Sequence, residues 1–181
     1  MEPIFLVVGP PAVGKSTTSR AMAARFPKSV HIPVDDFRNM VISGITLPSA
    51  EWNDELVQQV ALARSSAVHM AFLYQQAGFS VVLDDFWDGD HLSDYQTLFD
   101  SPDLHRIILF PRQGEAHQRN LKRSGMSSVR DYLDQGIQIV YQELSAEVEI
   151  LEQEGWVVVD STSLDIEETV TNILERTACR R

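Results

Sequence analysis

The chain has 181 residues, of which 44% are hydrophobic and 23% charged, and its formal net charge at pH 7 is −11. These values predict one ordered globular domain over residues 1–181, and they exclude the basic surface that nucleic-acid binding requires. No uncharged apolar run is long enough to span a membrane, and the one cysteine, Cys179, excludes an internal disulfide. We therefore expect a cytoplasmic protein with no nucleic-acid or membrane partner.

Short apolar runs alternate with longer segments of helical period. In chain order they predict strands over residues 4–8, 30–34, 80–84, 106–110 and 156–159, and helices over residues 15–25, 51–76, 115–122, 128–152 and 166–177. A break near Gly136 is left open, and Asp165 is predicted to cap the last helix. This alternation predicts an α/β fold with a five-stranded parallel sheet and helices on both faces. Ligands of such sheets bind beyond the carboxyl ends of the strands.

Residues 9–16 follow the first predicted strand and match the pattern G-x-x-x-x-G-K-[ST] in full. Glycines at both ends let backbone N–H groups point at phosphate oxygens, and the helix that follows adds the positive end of its dipole. We expect Lys15 to reach the β- and γ-phosphates of ATP and Ser16 to bind Mg²⁺. The residues predicted to bind the nucleotide are Gly9, Pro10, Pro11, Ala12, Val13, Gly14, Lys15, Ser16 and Thr17.

Two of the predicted strands are followed by paired acids. Asp35 and Asp36 follow the second strand, and Asp84 and Asp85 lie at the end of the third. A carboxylate at this edge can accept the proton of an attacking hydroxyl or orient water on Mg²⁺. We predict that Asp35 is the catalytic base and that Asp84 holds the metal. A strand end can twist either neighbour toward the site, so Asp36 and Asp85 remain alternatives.

An arginine-bearing segment follows the fourth predicted strand. Arg119 and Arg123 are four residues apart and share one helix face. Guanidinium groups bind phosphate oxygens in pairs and neutralise charge that develops during transfer. We therefore predict that both arginines are catalytic and that residues from about 112 to 130 form a lid that excludes water.

The acceptor is expected next to the acids, where an arginine suits a carboxylate or phosphate and tryptophans can stack on a ring. The predicted substrate-binding residues are Asp36, Arg38, Trp52, Asp85 and Trp87.

These residues together resemble the small-molecule kinases of the P-loop superfamily, including gluconate, shikimate and adenylylsulfate kinases and chloramphenicol phosphotransferase. The resemblance rests on residues 9–16, Asp35, Asp84, Arg119 and Arg123. The segment from Asp35 to Gly44, with Leu47-Pro48 and Trp52, is similar to a subgroup described as gluconate-kinase-like or AAA-family ATPase. The resemblance implies a three-layer P-loop NTPase fold with strand order 2-3-1-4-5.

We expect an ATP-dependent phosphotransferase that uses Mg²⁺ and moves the γ-phosphate to a hydroxyl of a small molecule. A nucleotide or nucleoside kinase is one alternative, and a regulatory ATP-binding protein or ATPase without a small acceptor is another. The acceptor itself, the choice between Asp35 and Asp36 as the base, and the choice between monomer and homodimer remain open at this point.

Overall fold

The computed structural model describes residues 1–46, 52–124 and 128–178, without the side chains of residues 123, 124, 128–130 and 178. Cys179, residues 47–51 and lid residues 125–127 lie outside the described part. The strands are β1 Ile4–Val8, β2 Ser29–Pro33, β3 Ser80–Asp84, β4 Leu104–Leu109 and β5 Val157–Val159. The α-helices are α1 Lys15–Ala23, α2 Val34–Asn39, α3 Asp54–Gln76, α4 Gln96–Phe99, α5 Gln113–Ser124, α6 Ser128–Gln153 and α7 Ile166–Ala178, and a 3₁₀ helix covers Gly89–Tyr95.

The five strands form one parallel sheet in the order β2-β3-β1-β4-β5. This confirms the predicted fold class and strand order. All five residues of β1 are buried, because β1 lies at the centre of the sheet and is covered on both faces. The carboxyl ends of β1, β2 and β3 therefore lie side by side, which brings the phosphate loop next to both acid pairs.

Alternating residues of the strands enter two hydrophobic layers. Ile4, Leu6 and Leu83 pack on the face that α3 covers, and Val7 and Val82 pack on the face that α1 and α7 cover. The sheet thus separates two sets of helices, as the layered fold requires. In the described part of the chain, no helix combines the length and apolar character needed to cross a membrane.

The second strand ends earlier than its sequence predicted. The prediction carried it to Val34, but the chain turns into α2 at that residue, with Pro33 at the N-cap. Proline has no N–H to donate, and the acids at Asp35 and Asp36 favour the first turn of a helix because they face the positive end of its dipole. The pair of acids therefore starts a short helix instead of ending a strand.

The predicted helices differ from the structure mainly at their ends and at one glycine. Helix α6 continues through Gly136 without a break. A Cβ at Gly136 would lie 3.4 Å from Cγ of Pro11, an ordinary contact distance, so α6 lies against the phosphate loop at this residue. The predicted cap of α7 is confirmed, because Asp165 Oδ1 accepts from the Glu168 N–H at 2.8 Å. The 3₁₀ helix and α4 were not predicted.

Candidate active site

The phosphate loop has a backbone that glycine makes possible. Gly9 has φ of +150°, and a Cβ there would lie 2.4 Å from the carbonyl oxygen of Leu109. Gly14 has φ of +98° and forms the N-cap of α1, which places the helix N-terminus at the loop. Lys15 bends back over the loop, and its Nζ donates to the carbonyl oxygens of Gly9 and Pro10 at 3.0 and 2.8 Å. The loop therefore combines main-chain N–H groups, a helix N-terminus and an ammonium group, which together suit a polyphosphate.

The two acids at the end of β3 point to opposite faces of the sheet, as neighbouring residues of a strand do. Asp84 faces α1, and its Oδ1 accepts from the Ser16 hydroxyl at 2.8 Å. Its Oδ2 contacts Nε2 of His31 on β2. A hydroxyl and a carboxylate at the end of a phosphate loop are oxygen ligands of the kind Mg²⁺ prefers, so Ser16 and Asp84 suit a magnesium ion bound with a triphosphate.

Asp85 faces α3, where Arg64 binds it. The Asp85 carboxylate is fully buried, and its Oδ2 accepts from Nε of Arg64 and from the Tyr95 hydroxyl, both at 2.8 Å. Nη1 of Arg64 also donates to Asp88 at 3.0 Å and to Asp94 at 3.1 Å. Arg64 thus holds the segment after β3 against α3. The predicted substrate residue Asp85 lies beneath the site surface, not on it.

A variant that loses this buried cation should be strongly destabilised. We expect Arg64→Met to lower the free energy of unfolding by about 3–5 kcal/mol, because it leaves the buried Asp85 charge without its partner. Arg25→Met is the matched control, since Arg25 pairs with Glu167 on the surface with both side chains well exposed. That variant should cost no more than about 1 kcal/mol. Urea unfolding followed by circular dichroism measures both, and equal losses would contradict the assignment.

Asp35 and Asp36 both lie in the first turn of α2 and are exposed. Partial desolvation by the protein around the cleft and the negative charge of Asp85 raise the pKa of the Asp35 carboxyl, while Lys15 and Arg38 lower it. These opposing charges show that Asp35 shares an electrostatic environment with the loop lysine and the acids of β3. Asp35 and Asp36 therefore both remain candidates for the base, and the pKa of Asp35 responds to the charges of the loop and of β3.

Arg38 is mostly buried between α2 and the segment that follows it. Its Nη2 donates to the carbonyl oxygen of Thr46 at 3.0 Å, and its Nη1 lies 4.0 Å from Oδ1 of Asp35. Burial raises the pKa of the Tyr132 phenol near the start of α6, and the charges of Arg38, which lowers this pKa, and Asp35, which raises it, act on the same phenol. Arg38 therefore lies next to the predicted base, and Tyr132, which the sequence did not indicate, is within electrostatic reach of both.

The two predicted acceptor tryptophans have different surroundings. Trp52 remains 37% exposed and stacks on His91, with ring centroids 5.1 Å apart and planes within 7°. Trp87 is buried and packs edge-on against Trp156 at 5.8 Å. Trp52 can therefore present a ring face or edge to a small molecule, whereas Trp87 belongs to the core below the loop.

Arg119 connects α5 to the phosphate loop. Its Nη1 donates to the Val13 carbonyl oxygen at 2.8 Å, and its Nη2 donates to the Ser161 carbonyl oxygen at 3.3 Å. Arg119 also lines a cavity of about 370 Å³ together with Thr17, Leu164 and Ile166. The structure therefore joins Arg119 to the phosphate loop beside a cavity. Arg123 lies in the last turn of α5, and its side chain is outside the described residues.

Removing the Arg119 guanidinium should weaken nucleotide binding. We expect Arg119→Met to raise the dissociation constant for ADP about tenfold, which corresponds to about 1.4 kcal/mol, because α5 loses its attachment to the loop and the cavity loses a wall. Arg112→Met is the control, since Arg112 is exposed and does not line this cavity. Titration calorimetry with ADP compares the two variants, and unchanged affinity in Arg119→Met would remove the residue from the nucleotide site.

Sequence reasoning missed Arg64, His31 and the cavity wall after β5. Arg64 lies beside Ala63 in the buried stripe of α3, so a charged residue at the border of an apolar face was the available signal. His31 alternates with the buried Ile32 on β2, which places it on the α1 face. Leu164 precedes the capping Asp165 and carried no signal of its own.

Comparisons with known proteins agree with this architecture. The model of the AAA domain family matches residues 4–135. A tunicamycin resistance protein from Deinococcus radiodurans has a similar solved structure, with a TM-score of 0.66 at 16% identity, covering 98% of this chain and 96% of the other. A gluconokinase from Sinorhizobium meliloti 1021 gives 0.65 at 17% identity, covering 98% and 93%.

A shikimate kinase from Acinetobacter baumannii, solved with shikimate, gives a TM-score of 0.67 at 12% identity and covers 100% of this chain and 96% of the other. No curated protein matches the chain by sequence. At these identities the likenesses establish the fold. They confirm the predicted resemblance to P-loop small-molecule kinases at the level of architecture.

Proposed function

Because the chain belongs to the AAA domain family, we propose that it is an ATP-dependent kinase that transfers the γ-phosphate to a hydroxyl of a small molecule. The observation that carries the proposal is the joint placement of three groups. The phosphate loop with Lys15, the hydrogen-bonded pair of Ser16 and Asp84, and the exposed Asp35 carboxylate all meet at the carboxyl ends of neighbouring strands. A protein that only bound nucleotide would not need a carboxylate placed to receive a proton.

In this proposal the donor is held along the phosphate loop. Backbone N–H groups of the loop residues other than Pro10 and Pro11 would surround the phosphates, and Thr17 and Arg119 line the cavity that would take the base. Ser16 and Asp84 would hold Mg²⁺, which neutralises charge on the β- and γ-phosphates when bound. Lys15 turns from the carbonyl oxygens of Gly9 and Pro10 to the phosphates, since phosphate oxygens carry more negative charge than carbonyls.

The chemical step needs a base and a stabilised transferring group. The acceptor hydroxyl oxygen attacks the γ-phosphorus, its proton passes to the Asp35 carboxylate, and the bond from the γ-phosphorus to the bridging oxygen breaks. The products are ADP and a phosphate ester of the acceptor. Lys15 stabilises the charge on the transferring group, and Arg123 joins it if the lid closes as the sequence predicts.

The acceptor is proposed to lie between α2 and the start of α3. In this proposal Asp36, Arg38, Trp52 and Tyr132 would face the acceptor and offer a carboxylate, a guanidinium, a ring face and a phenol to a small polar molecule. Asp85 and Trp87 lie beneath this region and do not face the acceptor. Asp85 binds Arg64 of α3, and Trp87 packs on Trp156 in the core. The likeness to a gluconokinase and to a shikimate kinase makes sugar acids and other polyols the first acceptors to test.

A screen for acceptor-dependent ADP formation tests the proposal. Purified protein with Mg²⁺ and ATP is offered sugars, sugar acids, nucleosides, aminoglycosides and phenicol antibiotics, and ADP is measured by a coupled assay. We expect ADP formation to rise well above the acceptor-free rate with one chemical class. A slow acceptor-free rate that no compound changes, in a protein that binds ATP, would instead favour a regulatory ATPase.

A further inference from the structure

We propose that His31 is a positioning residue of the magnesium site, which holds the Asp84 carboxylate in the orientation that the metal-bound nucleotide requires. The inference rests on the proposed function, because it assigns Asp84 to the metal. His31 lies on β2, outside the phosphate loop, and its contact with Asp84 joins β2 to the end of β3.

The two oxygens of Asp84 are bound from two different elements. Oδ1 accepts from the Ser16 hydroxyl at the start of α1, and Oδ2 is bound by Nε2 of His31 on β2. A carboxylate only accepts, so Nε2 of His31 must carry the hydrogen. Two donors on opposite oxygens fix the plane of the carboxylate, which one donor alone would leave free to rotate.

The contact between His31 and Asp84 is largely shielded from water. The Asp84 side chain is 7% exposed and that of His31 is 18% exposed, so water competes little for either group. The register pairs Pro33 with Asp84 and His31 with Val82, which puts both side chains on the face of the sheet that α1 covers. The strands themselves therefore present the imidazole to the carboxylate.

The consequence concerns the lone pairs that remain on Asp84. With one lone pair of each oxygen engaged, the others are left in fixed directions to accept from waters of a hydrated Mg²⁺ ion. Groups that orient metal ligands in this way often contribute tenfold or more to metal affinity. Loss of the His31 donor should therefore weaken metal binding in the presence of nucleotide, while binding of nucleotide without metal should hardly change.

Two amide substitutions separate this role from packing. Glutamine places its amide nitrogen as many bonds from Cα as Nε2 of histidine, whereas asparagine is one bond shorter. We expect His31→Asn to weaken Mn²⁺ binding about tenfold in the presence of ADP, and His31→Gln to stay within about threefold of the original protein. Electron paramagnetic resonance of free Mn²⁺ measures the affinity, and ADP calorimetry with EDTA provides the metal-free comparison.

Equal Mn²⁺ affinity in the original protein and in His31→Asn would overturn the inference, as would equal losses in both amide variants. If His31→Asn is unfolded by circular dichroism, His31→Met replaces it, because methionine keeps the length of the side chain without a donor. Since the Mn²⁺ measurement needs no acceptor, the two proposals can fail separately. If the protein transfers phosphate normally and His31→Asn leaves Mn²⁺ affinity unchanged, only this inference is rejected. If His31→Asn weakens Mn²⁺ binding but the protein has no transferase activity, only the proposed function is rejected.

Discussion

Replacement of Asp35 by asparagine is expected to lower kcat for phosphoryl transfer by about 10²–10⁴, while ADP and Mg²⁺ still bind. Asparagine keeps the shape of the side chain but cannot accept the acceptor's proton as a carboxylate does. Steady-state kinetics with an acceptor from the screen and calorimetry with ADP measure the two quantities. Asp36→Asn is the matched control, because Asp36 is the neighbouring exposed acid in the same helical turn.

If kcat falls by about the same factor in both variants, the assignment of the base to Asp35 alone is contradicted. Retention of normal transfer in Asp35→Asn would remove Asp35 from the role of base. A larger loss in Asp36→Asn would move the role to the alternative that the sequence left open.

The raised pKa of Asp35 sets the direction of two pH effects. The base works only when ionised, so the acid limb of kcat/KM, which reports the free enzyme, should lie at higher pH than the ordinary aspartate value of 3.8 would give. Folding raises this pKa, so stability falls as pH rises through the range between the unfolded and folded values. At neutral pH the ionised Asp35 therefore opposes folding, and Asp35→Asn should unfold at an equal or higher temperature than the original protein. A loss of activity with a retained Tm then cannot be attributed to unfolding.

Replacement of Lys15 by alanine is expected to lower kcat by about 10³, because it removes the ammonium group that stabilises the transferring phosphoryl. Binding of ATP should weaken as well, since the proposal places the same group on the β- and γ-phosphates of bound ATP. The ADP assay at saturating ATP separates the effect on kcat from the effect on KM.

Lys28→Ala is the matched control for Lys15→Ala. Lys28 precedes the amino end of β2, far from the carboxyl ends of the strands, and its Nζ contacts the Ala77 carbonyl oxygen and the ring of Phe79. Its removal should leave kcat within about twofold, as expected for a surface substitution away from the site. Equal kcat in the original protein and in Lys15→Ala would contradict the role of the phosphate loop.

The fold was predictable because its signals are local and consistent. Each strand is a short apolar run, and the phosphate loop marks the junction of β1 with α1 by its glycines and its Lys15-Ser16 pair. The order of the strands came from the resemblance to a family, since no local pattern states which strands are neighbours. The ends of elements were less predictable, as Pro33 and the acids after it show.

The sequence indicated the placement of candidate site residues only where a motif or a strand end fixes both the residue type and its place in the fold. The pair of Ser16 and Asp84 follows from the motif and from the end of β3, and the structure joins them at 2.8 Å. Asp84 and Asp85 differ because their side chains take opposite faces of the sheet. Asp85 is buried against Arg64 of α3, which lies 21 residues earlier in the chain. Such long-range pairings leave little trace in a single sequence.

Transfer of label from ATP marked at its γ-phosphate tests the central claim most directly. The proposed kinase should move the label into an organic phosphate ester in the presence of its acceptor, with one ADP formed for each labelled ester and transfer slowed at least about 10²-fold in Asp35→Asn. Recovery of the label only as inorganic phosphate, at a rate that no acceptor changes, would contradict the account and identify water as the only acceptor.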